Sequence, residues 1–123
     1  MDRIRKIQYK DKEIMYLDFT NLNSIKEVDQ ILSVIQAVNS AVSACPPKSV
    51  LTLTNIEGLF FNRDIITAFK KSQDLIKPYQ KKAAVIGIHG LQKIAVEAIA
   101  ALTNDNYTKT FNNELEAKEW LVE

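Results

Sequence analysis

Apolar and polar positions divide the chain into short extended segments and longer helical ones. From Arg3 to Tyr9, Ile4 and Ile7 fall among basic and polar neighbours. From Glu13 to Phe19, the alternation sets Ile14, Tyr16 and Asp18 against Met15, Leu17 and Phe19. With Lys10-Asp11-Lys12 between them, the two runs predict an N-terminal hairpin. Ile25, Val28, Ile31, Leu32, Ile35, Val38 and Val42 then recur at helical spacing. Ser24 and Glu27 have the spacing of a capping box, in which the serine oxygen accepts from a first-turn amide and the glutamate reaches back to the cap amide. Pro46-Pro47 ends the helix, because proline lacks an amide hydrogen and clashes with the preceding turn.

Val50 to Thr54 and Ala83 to Ile88 are apolar at nearly every position, as strands covered on both faces are. Each precedes a helical pattern. Asn62 caps one, with Ile65, Ile66, Phe69, Leu75 and Ile76 expected to face inward and Pro78 at its end. The other starts near Leu91 and carries Ile94, Ala95, Ala98, Ile99 and Leu102. A short strand around Lys109-Thr110-Phe111 and a helix from Glu114 to Leu121 close the chain, with Trp120 expected to pack onto the domain. The order ββαβαβαβα predicts an α/β fold: a mixed, mostly parallel sheet flanked by helices, its interior strands at Val50 to Thr54 and Ala83 to Ile88. Residues 1–123 read as a single domain, which at this length can bury a core without disulfides or metals.

Charge narrows the function classes. Sixteen Lys and Arg face fifteen Asp and Glu, a formal net charge of +1, so no global field draws nucleic acid or anionic lipid. Lys70-Lys71 and Lys81-Lys82 are short basic pairs without an aromatic platform and read as solvated positions. Cys45 is the only cysteine, which excludes an internal disulfide and accords with a reducing cytosol. Neither an apolar leader core nor a run near the ~18 residues of a membrane span follows the charged N-terminus. A cytoplasmic, unanchored protein without cofactor is the expectation.

Several stretches carry a resemblance. Thr108-Lys109-Thr110-Phe111 followed by Glu114-Leu115-Glu116-Ala117-Lys118-Glu119-Trp120-Leu121 resembles the ending of STAS-like domains. Lys77-Pro78-Tyr79, Lys82-Ala83-Ala84-Val85-Ile86-Gly87 and Gly90-Leu91-Gln92-Lys93-Ile94 are similar to a group of small bacterial STAS-like proteins. The resemblance covers nearly the whole chain and implies the fold of anti-sigma-factor antagonists. Those proteins switch by phosphorylation of a Ser or Thr at the start of the helix after the central strand. Here that stretch reads Thr54-Asn55-Ile56-Glu57-Gly58-Leu59-Phe60-Phe61-Asn62-Arg63-Asp64, with no serine; Thr54 and Thr67 are the nearest hydroxyls. The resemblance therefore stops short of the phosphoswitch.

The same stretch holds the main candidates. Leu59-Phe60-Phe61, between Gly58 and the Asn62 cap, is a run of large apolar residues of the kind that anchors interfaces, and with Asn62 and Arg63 it forms a candidate partner-binding surface. The alternative is that Leu59 and at least one phenylalanine turn inward as core. A second candidate is a crevice at the carboxyl ends of the strands, built from Asn55, Glu57, His89 and Gly90, where a ligand could meet free helix amides. His89-Gly90 lacks the glycine spacing of a phosphate loop, and a lone histidine is no metal site. No nucleophile with a positioned base can be quoted: Cys45 belongs to the far end of the first helix. The residues favour a non-enzymatic regulatory or protein-interaction domain with a protein partner or a homodimer, and the alternative is a small-anion or small-molecule binder using the crevice.

Overall fold

A computed structural model of the chain describes residues 2–88 and 107–123. The elements are β1 (Ile4–Tyr9), β2 (Lys12–Asp18), α1 (Val28–Ser43), β3 (Val50–Asn55), α2 (Arg63–Ile76), β4 (Gln80–Ile86), β5 (Thr108–Thr110) and α3 (Glu114–Leu121). Among the described residues the strands form one sheet in the order β1-β2-β3-β4-β5. β1 pairs antiparallel with β2, and every later neighbour is parallel. This is the mixed, mostly parallel sheet with an N-terminal hairpin that the pattern predicts, and β3 and β4 are interior strands.

Alternation along the strands sorts their side chains to two faces. Met15 and Leu17 join Ile31, Ile35 and Val38 of α1 and Ile65 and Ile76 of α2 in one core. Ile14 and Tyr16, one residue out of phase, join Leu51, Leu53, Ala84 and Ile86 and the α3 residues Ala117 and Leu121 in another. The first two helices thus cover one face and α3 the other, so β2 to β4 are apolar in both phases.

The hairpin turns on Lys10 and Asp11 alone, both at positive φ (49° and 66°). That pair of left-handed residues is the turn whose twist matches the flanking strands. The expected capping box does not form as such. Ser24 Oγ donates to Glu27 Oε2 at 2.7 Å, and the chain enters α1 through a 3₁₀ turn, Ile25–Glu27. The tighter angular step of that turn takes Ile25 out of phase with the α1 stripe and leaves it 70% exposed instead of inward. Leu75 is also corrected. The buried line of α2 runs Ile65, Ser72, Ile76 with Phe69 partly buried, and Leu75, one position off, is exposed. β4 begins at Gln80, ahead of the expected Ala83, and takes in one extra residue, Lys81, where the register shifts opposite Val50 and Leu51. The helix expected from Leu91 lies outside the described residues.

Candidate functional site

The segment from Asn55 to Asp64 leaves the carboxyl end of β3 and enters α2, and hydrogen bonds hold most of it. Asn55 Oδ1 accepts from the Glu57 amide (3.1 Å), while its Nδ2 donates to the Tyr16 hydroxyl (2.9 Å). The Ile56 amide donates to the Ile86 carbonyl and extends the β3–β4 pairing by one residue. Leu59 N donates to Ile56 O at 3.0 Å and closes a turn through Gly58, whose φ of +72° suits glycine. The neighbouring segment after β2 braces this turn: Asn21 N donates to Glu57 O, and Phe60 N donates to Leu22 O at 2.7 Å. Asn62 Oδ1 then accepts from the Ile65 amide at 2.9 Å, the N-cap expected from the sequence.

Gly87 supports the loop from below, and the sequence reading did not single it out. Its φ is +87°, and a Cβ there would sit 2.5 Å from the Glu57 amide nitrogen and 2.6 Å from Asn55 Oδ1. Backbone and carboxamide approach that closely only because the side chain is missing. A glycine after an apolar strand was the available signal, but its neighbour, some thirty residues away in sequence, was not legible.

Structure divides the candidate partner-binding residues. Leu59 is 5% exposed and belongs to the core, so its expected role as a contact is corrected. It is buried in the same cluster as Ile56 and the inward residues of α1 and α2, where its transfer from water is favourable. Phe60 and Phe61 are half-buried: both pack on the core with part of each side chain left to solvent. The Phe61 ring lies 6.1 Å from Phe69, whose ring centre is in turn 5.2 Å from that of Phe19 at a tilt of 58°. Asn62 is half-buried as the cap, and Arg63 is exposed beside it. Of the crevice candidates, Asn55 and Glu57 are joined by their own hydrogen bond, while His89 and Gly90 lie outside the described residues. Asn55 spends both ends of its carboxamide on the fold, so it serves as a brace.

The nearest charge cluster is also structural. Asp18 Oδ1 accepts from the amide and hydroxyl of Thr20 at 2.9 and 2.6 Å, with Arg3 at 3.5 Å and Arg5 at 3.7 Å from its two oxygens. Burial pushes this carboxyl up, but the Thr20 hydrogen bonds and the two guanidinium groups outweigh it and hold the pKa below the usual carboxylate value. Arg3 also donates to the carbonyls of Asp18 and Thr20, and Arg5 lies 4.7 Å over the Tyr16 ring. Among the described residues, no three His, Cys, Asp or Glu side chains gather as a metal site would need. Cys45 sits just beyond the carboxyl end of α1, with its thiol directed to the Ala41 carbonyl. Thr54 is half-buried on β3, and the Thr67 hydroxyl is turned back to the Arg63 carbonyl.

No protein-family model matches the sequence, and no curated protein matches it. Among solved structures, the chain is similar to an anti-sigma-factor antagonist (STAS) domain protein from Planctomyces limnophilus, with a TM-score of 0.61 and 19% identity over 98% of each chain. The chain has a STAS-like fold. No helix among the described residues is long and apolar enough to cross a membrane.

Proposed function

We propose that this chain is a cytoplasmic, non-enzymatic regulatory or protein-interaction domain whose contact surface is the β3–α2 junction, centred on Phe60 and Phe61 and flanked by Asn62 and Arg63. One observation carries the reading: two adjacent aromatics, each partly open to solvent, stand on a loop whose backbone is already hydrogen-bonded on both sides. A partner meeting them would not have to order the loop, so little of the gain from burying the rings, roughly 1.5–3 kcal/mol for a fully desolvated phenylalanine, is lost to conformational entropy. Asn62 at the cap offers a carboxamide where a phospho-acceptor would need a hydroxyl, so the contact operates without serine phosphorylation at that position.

The occupant is a second copy or another protein. Phe60→Ser and Phe61→Ser, made separately, and the exposed Arg63→Glu test the surface by light scattering and by capture of a partner from the native host, with circular dichroism and melting as controls. The expected result is a folded chain that loses self-association or loses a partner retained by a Trp120→Ala control. A native chain that is monomeric and captures nothing, or phenylalanine variants that unfold while Arg63→Glu binds normally, overturns the reading.

A further inference from the structure

We propose that the outer edge of β1 binds an extended acidic segment of another protein, which pairs with it as an added strand. β1 is the last strand on its side of the sheet, and the register of the hairpin decides which of its backbone groups are open. Asp18 N donates to Arg3 O at 2.7 Å, so these two residues, one step beyond Ile4 and Leu17 in that register, form a hydrogen-bonded pair. Such pairs alternate along an antiparallel ladder. Arg5, Ile7 and Tyr9 therefore turn amide and carbonyl toward β2, and Ile4, Lys6 and Gln8 turn theirs outward. Among the described residues no group is hydrogen-bonded to that outer row. A row of this kind is a template for another extended chain.

The side chains say which chain fits. Both cores end at β1 on half-buried isoleucines: Ile4 packs against the α1–α2 core and Ile7 against the α3 core, each with part of its surface in solvent. Between them stand Arg5 and Lys6, with side chains 53% and 69% exposed, and β1 contains no acid. Each cation has a carboxylate on β2 at 3.7 Å, Asp18 for Arg5 and Glu13 for Lys6, but neither contact is short enough for a hydrogen bond, so the donors remain available. Directly opposite residues share a face of the sheet. A strand laid beside Ile4-Arg5-Lys6-Ile7 therefore covers both isoleucines and meets both charges when it reads apolar-acid-acid-apolar, in either direction. A second copy lacks this pattern. Paired about Lys6 it sets the two Lys6 side chains opposite one another, and paired about Ile7 it sets Arg5 opposite Tyr9 and Lys6 opposite Gln8, so in neither register does a cation meet an acid of the facing strand. Charged edges discourage such self-pairing, and here the same charges select the partner. The edge shares no residue with the β3–α2 junction, so the two readings stand or fall separately.

The test uses the full chain and two capped peptides, Thr-Val-Glu-Glu-Val-Thr and its counterpart with lysine in place of each glutamate. Calorimetry should show saturable one-to-one binding of the acidic peptide, with the basic one weaker by about tenfold or more. Amide exchange followed by nuclear magnetic resonance locates the site. At saturation the Ile4, Lys6 and Gln8 amides should slow by about tenfold or more, while those of Arg5, Ile7 and Tyr9, already bonded to β2, stay as they are. Lys6→Glu should weaken the acidic peptide by about tenfold or more. Gln8→Pro, which removes an outward amide and keeps both charges and the bonds to β2, should weaken it several-fold while leaving the melting temperature within a few degrees of the native chain. If Gln8→Pro does not fold, the exchange pattern of the native chain carries the test. No saturable binding, equal affinity for the two peptides, exchange slowed elsewhere but not at the three outward amides, or unchanged affinity in a folded Lys6→Glu overturns the proposal. A native chain that dimerises with those three amides protected before any peptide is added gives the edge to a second copy and overturns it as well.

Discussion

The two faces of the sheet are closed by different means. On one, α1 and α2, of 16 and 14 residues, bury an apolar stripe against Met15, Leu17 and Phe19, and among the described residues this buried apolar contact is the main fastening. On the other, the 8-residue α3 buries only Ala117 and Leu121 fully, and a helix that short has little stability of its own. Polar contacts supplement it: Glu119 accepts from the Tyr9 hydroxyl and from Lys10 Nζ, and Lys82 Nζ donates to the Trp120 carbonyl at 2.9 Å. Trp120 itself is half-buried, 5.4 Å from Phe111 and with the Lys82 and Lys109 ammonium groups over its ring at 5.0 and 5.7 Å. The hydrogen bonds from Lys10 and Tyr9 hold the Glu119 carboxyl below its usual range, and the bond to Glu119 raises the Tyr9 phenol. The Lys10 and Glu119 side chains stand largely in solvent, so salt should loosen α3 before it affects the α1–α2 side. A large apolar contact stabilises regardless of ionic conditions, while a small one depends on charge placed around it.

This contrast is tested hardest from the hydrophobic side. Phe19, 1% exposed and packed at a tilt against Phe69, should cost about 3–5 kcal/mol when replaced by alanine, measured by urea unfolding. A loss below about 1 kcal/mol would mean that the helical layer is not the dominant core. Trp120→Ala sharpens the comparison. A fully buried indole would cost as much as Phe19, but this one is only half-buried, so about 1–2 kcal/mol is expected. Its loss should also remove the only tryptophan fluorescence. The smallest effect concerns Asp18. Because its folded pKa is depressed below the ordinary 3.8, its contribution is present in full above that value and is lost as pH falls through the lower, folded pKa. Asp18→Asn should therefore flatten the acid limb of the stability curve below about pH 4 and cost on the order of 1 kcal/mol at neutral pH. An acid limb as steep as that of the native chain would show that the Arg3 and Arg5 pairs are idle.

Local chemistry settled much of the architecture before any contact was known. Period-2 alternation located the hairpin, double-sided apolar runs identified the interior strands, and Asn62 and the prolines marked helix ends, because these signals act within one turn or one strand. The faces of single residues were less legible. Ile25 and Leu75 looked like core from spacing alone, but a 3₁₀ entry and a one-residue phase difference turn them out. The candidate loop was found from its aromatics and cap, yet the division that matters there, Leu59 inward with Phe60 and Phe61 half-open, depends on bonds from Leu22, Asn21 and Ile86. The Gly87 brace, the Tyr9–Glu119 bond spanning 110 positions and the Thr52–Gln80 pair were likewise invisible. Sequence by itself determined which segments are strands and helices, since backbone preference and periodicity are properties of neighbours along the chain. Only the tertiary structure decided which side chains meet, because that depends on the register and facing of elements whose separation in sequence carries no record of their distance in space.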